Sequence, residues 1–425
     1  MSHYLVCTGT RPEIIKMAPV YRSLKARGET VQVLHTGQHE DMAMALYRFF
    51  HMGPDHHMHL KRERAGLSQL TAELLQGIDQ VLSHAQPDVV LVQGDTSSAL
   101  VGAMAAYFRD IPVAHIEAGL RTGQHDPFPE EKNRELIGRL AQWHFPPTPQ
   151  ARQNLLREGV AAAHIFEVGN TVIDAALWVS QRLAQQPWGQ AYPDDVQQLL
   201  GRFDNAPLML VTAHRRENWG RPIQHIAAAV GTLLKLNPQL IAVWPQHPNP
   251  SVRLDIAQGL GDLAPEHAQR LCLTEPLDYP ALIGLLSQCH FCLTDSGGIQ
   301  EEASALQRPV LITRDSTERQ ELVDAGGALL VGTDPHAIIE HSTALLHDRS
   351  AYQAMQLRQC PFGDGQSALR IADVLTGHHL SIPLGADKHP LSQPVQHMPA
   401  QHMPNLPGAA LSSLSPTHGR NAYPH

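Results

Sequence analysis

Short apolar runs alternate with longer amphipathic segments along most of this chain, and no other feature limits its possible folds so strongly. Short apolar runs are typical of buried parallel strands, and residues 70–82, where leucine and isoleucine recur at helical spacing, are typical of a helix. This βαβ alternation predicts an α/β fold with doubly wound parallel sheets. In the first part of the chain the predicted strands cover residues 4–8, 31–34, 89–92, 113–116 and 144–145.

The alternation begins a second time after residue 170. The second series of predicted strands covers residues 208–212, 241–245, 271–273, 290–294 and 310–312. A chain of 425 residues has room for two α/β domains and a remainder. We therefore predict Rossmann-like domains at 1–170 and 171–365 with a ligand cleft between them. Residues 381–425 are rich in Pro, His, Gln and Ser, and they are predicted to form a disordered tail.

Composition argues against several classes of partner. The formal net charge is −9, and the sequence contains no basic stripe. Both features argue against nucleic acid as a partner. No apolar run approaches the roughly 20 residues that cross a bilayer, and the N-terminus does not resemble an export signal, so we expect a cytoplasmic protein without membrane contact. Cys289 and Cys292 form a CxxC flanked by apolar residues in a predicted strand. We expect them in the core, and we predict no metal site.

The segment from residue 292 to 303 predicts a binding site for a diphosphate. It runs from an apolar strand through Ser296, Gly297 and Gly298 into a helix that begins with carboxylates. Bare backbone N–H groups at a helix N-terminus bind anions, and glycines let a ligand approach them closely. An ordinary strand-to-helix turn is the alternative interpretation of this segment.

The loop after the first strand adds positive charge. Arg11 and Lys16 lie in a helix that Pro12 can begin, which suits a phosphate, although a capped helix with two exposed cations would look the same. The loop contains neither a P-loop nor a GxGxxG pattern. The sequence therefore gives no positive evidence for a nicotinamide cofactor, and we predict none.

The first half places three carboxylates of the kind that a functional site needs. Asp95 and Glu117 follow predicted strands, and Glu131 lies where a proline-bearing loop enters a helix. An acid at a helix N-terminus is also common for dipole reasons alone, which is the alternative for Glu131 and its neighbour Glu130. The second half places cations after its own strands, namely His214, Arg215, Arg216 and Arg319. Together with the Ser-Gly-Gly turn they predict a pocket for a nucleotide diphosphate.

The ordered set of these motifs resembles the non-hydrolysing UDP-N-acetylglucosamine 2-epimerases of bacterial surface-polysaccharide synthesis. The resemblance covers roughly residues 4–376 and implies a GT-B arrangement, a homodimer, and a C-terminal helix at 366–380 that returns to the first domain. The matching motifs are Gly9-Thr-Arg-Pro-Glu13, Gly94-Asp-Thr96, Glu117-Ala-Gly-Leu-Arg121, Pro129-Glu-Glu131 with Asn133-Arg134, His214-Arg-Arg-Glu217 and Asp295-Ser-Gly-Gly-Ile-Gln-Glu-Glu302.

The resemblance also implies residue roles, in a reversible inversion at C2 by elimination and re-addition of UDP through 2-acetamidoglucal. Asp95, Glu117 and Glu131 would be the acid–base carboxylates, and His214 would hold the departing diphosphate. UDP would be bound by Arg11, Lys16, Arg134, Ser296, Gly297, Gly298, Glu302 and Arg319, with Glu302 on the ribose. A second UDP-N-acetylglucosamine could bind as an activator at Gln38, His39, Arg215 and His247.

Departures from the family pattern leave alternatives open. Residues 63–66 lack an Arg-Gln pair that some members have, and Leu277 and Leu282 stand where others have Gln and Phe near the uracil. A hydrolysing 2-epimerase that releases N-acetylmannosamine is the nearest rival function. A GT-B glycosyltransferase and a nucleotide-sugar-binding module without turnover are the others.

Overall fold

The computed structural model of the protein describes residues 1–38, 43–60, 66–185 and 192–377. These residues form two parallel sheets of six strands each, with helices between the strands, which confirms the predicted α/β fold. The first sheet has the strand order β3-β2-β1-β4-β5-β6. Its strands are β1 (His3–Thr8), β2 (Thr30–His35), β3 (His56–His57), β4 (Val89–Gln93), β5 (Val113–Ile116) and β6 (Trp143–Phe145).

The second sheet repeats this arrangement with the order β12-β11-β10-β7-β8-β9, and both sheets lie within one compact unit. Its strands are β7 (Leu208–Thr212), β8 (Ile241–Pro245), β9 (Leu271–Thr274), β10 (Phe291–Thr294), β11 (Val310–Ile312) and β12 (Ala328–Leu330). Most of the strand residues are fully buried, as the continuous apolar runs predict.

The helices cover the sheets on both faces. In the first part of the chain they are α1 (Arg11–Ala26), α2 (Ala43–Phe50), α3 (Leu67–Ala85), α4 (Ser97–Phe108), α5 (Glu130–Leu140), α6 (Pro149–Arg157) and α7 (Thr171–Ala184). The later ones are α8 (Asp194–Arg202), α9 (Arg221–Leu236), α10 (Pro250–Leu260), α11 (Pro265–Ala268), α12 (Tyr279–Gln288), α13 (Gly297–Ala305), α14 (Gln320–Asp324), α15 (Pro335–His347), α16 (Arg349–Met355) and α17 (Ser367–Leu375). Over the described ranges, no helix is long and apolar enough to cross a membrane.

The strand orders determine where a ligand can bind. The order reverses between β1 and β4 in the first sheet and between β7 and β10 in the second. Ligands of open parallel sheets bind outside the carboxyl ends of the strands at such reversals. The loops after these four strands carry Arg11, Asp95, His214 and Ser296, all of which are predicted site residues.

The last described helix lies against the first part of the chain. The hydroxyl of Tyr4 donates to the carbonyl of Leu375 at 2.9 Å, and Arg27 forms an ion pair with Asp373. Asp174 at the start of α7 accepts the backbone N–H of Ala368 at 2.8 Å. The predicted tail lies outside the described residues, and the predicted domain boundary at residue 170 stays a prediction.

Two details of the sequence-based prediction were wrong. Strands β3 and β12 were not predicted, because β3 has only two residues, both histidines, and Leu329 and Leu330 of β12 are more than one third exposed. Cys289 does not lie on a strand but directly after α12, whereas Cys292 lies in β10. Both thiols are fully buried.

Candidate active site

The loop after β1 is fixed by one buried carboxylate, that of Glu13. It accepts the backbone N–H groups of Gly9 at 2.9 Å and Thr10 at 2.7 Å, which caps the first turn of α1. Its other oxygen accepts the hydroxyl of Thr96, at 2.7 Å, from the loop after β4. The two loops at the strand reversal are therefore joined. Burial lowers the pKa of Arg11 in this turn, with Asp278 opposing the shift.

Lys16 and Glu117 form a close, buried ion pair at the carboxyl ends of the strands of the first sheet. The ammonium of Lys16 lies 2.6 Å and 2.7 Å from the two carboxylate oxygens. Glu117 follows β5 with a left-handed backbone (φ +62°), which directs its side chain away from the strand. Gln93 at the end of β4 also donates to this carboxylate, and Asn170 donates to it at 3.0 Å. Glu117 is therefore held from three elements.

Asp95 and Glu131 are joined by Arg134. The guanidinium lies 2.7 Å from the carboxylate of Asp95 and 3.4 Å from that of Glu131. Glu131 also accepts the backbone N–H groups of Thr122 and Gly123 at 2.9 Å and 3.0 Å, so it is rigidly placed. The side chain of Asp95 is 26% exposed, compared with 1% for Glu131. Asp95 is therefore the more accessible of the two acids.

The acids differ in their proton affinity. Burial raises the pKa of Asp95 to about 6, although Arg134 opposes the shift. Burial also acts to raise the pKa of Glu117, but the ammonium of Lys16, together with Arg319 and Asn170, holds it below its ordinary value. Acids whose environments separate their pKa values in this way are typical of acid–base catalysis.

The N-terminus of α13 has the open backbone that the sequence predicts. Ser296 precedes the helix, and a side chain added at Gly298 would meet no atom within 4 Å. Neither Gly297 nor Gly298 has a positive φ, so the backbone conformation does not require glycine there. Gly297 is buried and Gly298 is exposed, so it is Gly298 that leaves the end of the helix open to a ligand, as an anion site requires.

A second buried carboxylate organises the loop after β7. Asp295, with no exposed surface, accepts the backbone N–H groups of His214 and Arg215, each at 2.8 Å, and the amide of Asn218 at 2.9 Å. The ring of His214 is about half exposed, and its Nδ1 lies 3.0 Å from the carbonyl of Thr212. A bond from Nδ1–H to this carbonyl leaves Nε2 of His214 for a ligand.

The acids of α13 lie between the two sheets. Glu301 is buried and accepts Nε of Arg319 at 2.6 Å. A Cβ added at Gly297 would lie 3.8 Å from the guanidinium carbon of Arg319, so this cation stands beside the open helix end. Burial, with Glu301 nearby, raises the pKa of Glu302 to about 8, while a buried Tyr279 beside it acts in the opposite direction.

The residues of the predicted activator site have partners within the protein. Gln38 accepts the backbone N–H and the hydroxyl of Ser98, and Arg215 lies 3.4 Å from the carboxylate of Glu318. The ring of His247 lies against that of Trp219, with 5.4 Å between the ring centroids. His39, the fourth member of this predicted site, lies outside the described residues.

Sequence reasoning missed three residues of the site: Gln93, Asn170 and Glu301. Asn170 donates to Glu117 at 3.0 Å and to Glu301 at 3.3 Å, so it connects the two sheets. An asparagine directly before a helix is a recognisable capping signal, but in the sequence Asn170 was interpreted only as a domain boundary. Glu301 lies directly before Glu302, and only the second of these acids was assigned a role.

Fold and site together define a class of protein. Two six-stranded parallel sheets lie in a GT-B arrangement. The first sheet supplies the acids of the site, and the second supplies cations and the open N-terminus of α13. A family model described as UDP-N-acetylglucosamine 2-epimerase matches residues 22–376. The chain therefore belongs to the UDP-N-acetylglucosamine 2-epimerase family, and the resemblance stated from the motifs is confirmed.

Individual relatives are similar over nearly the whole described chain. The UDP-N-acetylglucosamine 2-epimerase of Salmonella typhimurium is 41% identical over 380 residues, which cover 89% of this chain and 99% of that protein. The enzyme of Escherichia coli K12 is 42% identical over 384 residues, with 89% and 99% covered. The crystal structure of the Neisseria meningitidis enzyme bound to UDP-GlcNAc (UDP-N-acetylglucosamine) has a TM-score of 0.77 at 38% identity, and the match covers 88% of this chain and 100% of that one.

Proposed function

We propose that this protein interconverts UDP-GlcNAc and UDP-N-acetylmannosamine without hydrolysis, and so supplies surface-polysaccharide synthesis. The family and the UDP-GlcNAc bound to the Neisseria relative support the substrate. The structural observation that carries the reaction is Asp95, an accessible carboxylate with a pKa of about 6 close to the buried Lys16–Glu117 pair.

The chemistry requires a proton to leave a carbon that no carbonyl acidifies. As the bond from C1 to the UDP oxygen breaks, positive charge develops on C1 and makes the C2 hydrogen acidic. A carboxylate takes this proton, the C2–H electron pair forms the C1=C2 double bond, and UDP leaves with the C1–O electron pair. The products at this stage are 2-acetamidoglucal and UDP. Return of UDP to C1, with protonation of C2 from the other face, gives the second epimer.

We assign the base to Asp95, because a general base is most effective when its pKa lies near the working pH. The Lys16–Glu117 pair is assigned to the other face. The titratable proton of this pair is held by Lys16, which is therefore an ammonium. The pKa of Lys16 lies above its ordinary value because Glu117 and Glu301 outweigh the lowering effect of burial. Glu131 fixes Arg134, which in turn holds Asp95.

The second sheet is proposed to hold UDP during these steps. The helix end at Gly298, with Arg319 beside it, suits the diphosphate, and His214 can donate to the leaving oxygen from Nε2 when it is protonated. Preorganised donors of this kind each contribute roughly 3 kcal/mol to stabilising a leaving oxyanion. Arg11 and Glu302 are proposed to complete the nucleotide site, with Glu302 on the ribose.

Activation by a second UDP-GlcNAc, the homodimer and the cytoplasmic location stay predictions. Activation would require Arg215 to exchange its contact with Glu318 for a ligand, while Gln38 and His247 bind the same molecule. A dependence of the rate on UDP-GlcNAc concentration that is steeper than hyperbolic would support it.

Product analysis tests the proposed function. Incubation of the protein with UDP-GlcNAc in H₂O, followed by ¹H and ³¹P NMR, is expected to give UDP-N-acetylmannosamine and little free UDP. Free N-acetylmannosamine in equal amount to UDP would instead show a hydrolysing enzyme. Unchanged UDP-GlcNAc would remove the proposal altogether.

A further inference from the structure

One side chain contacts carboxylates from both halves of the site. Asn170 is 2% exposed, and its amide nitrogen donates to Glu117 at 3.0 Å and to Glu301 at 3.3 Å. Glu117 follows a strand of the first sheet, and Glu301 lies on α13, which follows a strand of the second. The two hydrogens of a single amide group can therefore serve both carboxylates.

The rest of Asn170 is fixed in a way that sets the direction of this amide. Its side-chain oxygen accepts the backbone N–H of Val172 at 3.1 Å and so caps α7. Its own backbone N–H donates to the carbonyl of Phe362 at 2.7 Å. Because the oxygen is used for the cap, the NH₂ group must face the carboxylates.

Charge explains why an amide suits this position. Glu117 faces Lys16 from α1, Asp95 from the loop after β4 and Arg319 from the segment before α14. Glu301 of α13 faces the same two cations. A carboxylate at position 170 would repel both glutamates, whereas a neutral donor binds both. Burial acts to raise the pKa of Glu117, and the Asn170 bond helps Lys16 and Arg319 to hold it below its ordinary value.

We propose that Asn170 is a positioning residue for epimerisation: it holds Glu117 in the orientation the reaction needs and connects it to the Glu301–Arg319 pair beside the diphosphate site. This proposal rests on the proposed function. The orientation of Glu117 would then depend on the same side chain that contacts Glu301, next to the proposed UDP site. Its distinguishing consequence is that Asn170 acts through its NH₂ group and not through its helix cap.

Three substitutions separate these two roles. Asn, Asp and Ser are similar helix caps, and Ala is poor, so a purely capping role predicts that Asn170→Asp and Asn170→Ser keep activity while Asn170→Ala loses it. The positioning role predicts that Asn170→Ser and Asn170→Ala both lower kcat about 10- to 100-fold, because a hydrogen bond to a charged group is lost. Asn170→Asp should be the least active, since it adds a third carboxylate.

Kinetics provide the readout. For Asn170→Ser we expect UDP affinity within about threefold of wild type and a lowered kcat, because the orientation of Glu117 and not the nucleotide site is changed. The acid limb of the kcat profile should stay in place, because Asp95, with its pKa of about 6, sets it. Asp334→Ala is the matched control. Asp334 caps α15 through the same kind of bond, with its carboxylate accepting the N–H of His336 at 3.1 Å, and we expect unchanged kinetics.

The outcomes are distinguishable. Asn170→Asp and Asn170→Ser with kcat within about twofold of wild type would refute the role of Asn170 alone. Loss of UDP binding together with a lowered Tm in both variants would show a structural role and would also refute it. Failure of the wild-type protein to form UDP-N-acetylmannosamine would overturn the proposed function, and this inference with it.

Discussion

Replacing Asp95 with Asn should abolish most turnover while leaving the nucleotide site intact. The substitution keeps the shape of the side chain and an oxygen that can accept from Arg134, which also stays near Glu131 at 3.4 Å. A positioned base contributes about 10²- to 10⁴-fold, so we expect kcat to fall by this factor, equivalent to about 2.7–5.4 kcal/mol in the barrier. The side chain is 26% exposed, and the proposed UDP contacts come mainly from the second sheet, so little effect on folding or UDP affinity is expected.

The assay is initial-rate NMR of epimerisation, combined with calorimetric titration of UDP and a thermal melt. Asp79→Asn is the matched control, because Asp79 of α3 also pairs with an arginine at 2.5 Å, namely Arg109 directly after α4, but at a more exposed place on the surface. The control should have wild-type kinetics. Near-normal kcat in Asp95→Asn would refute the assignment of the base. Equal losses of activity and UDP binding would show that Asp95 acts in binding.

Two further substitutions test the anion site and the docking of α17. Gly298→Ala should weaken UDP binding at least about tenfold by calorimetry, since a methyl group at the open helix end obstructs a charge-assisted bond, while Tm stays equal or rises because Ala favours helices. Unchanged UDP affinity would place the diphosphate elsewhere. Burial raises the pKa of Asp174 to about 6 from 3.8, so its contribution to stability is present at low pH and is lost as pH rises through about 6. The free energy of unfolding of Asp174→Asn relative to wild type should therefore increase by about 1.4 kcal/mol between pH 5 and pH 8, measured by urea denaturation, and a constant difference would contradict this.

The sequence predicted the strands well where burial leaves a continuous run of apolar residues. Continuous apolar runs give the exact bounds of β5, β7, β8 and β11, because buried parallel strands leave no polar alternation to blur their ends. β3 and β12 were missed for the opposite reason. His56 and His57 carry no apolar signal, and Leu329 and Leu330 are partly exposed in the edge strand β12.

The sequence shows which strand or helix each candidate site residue is near, but it could not show how these residues are paired. Lys16 was predicted to bind phosphate, and the structure shows it in an ion pair with Glu117, 101 residues later. Asn170 and Glu301 are separated by 131 residues, and no local pattern links them. Such contacts follow from the way the two sheets are brought together, which is a tertiary property.

A single NMR experiment in D₂O tests the central claim most directly, namely that a proton leaves C2 while UDP is detached. Incubation of UDP-GlcNAc with the protein should place deuterium at C2 of both epimers, without accumulation of free UDP. Conversion to UDP-N-acetylmannosamine with the original hydrogen still at C2 would contradict it, because no carboxylate could then have taken that proton and exchanged it with solvent.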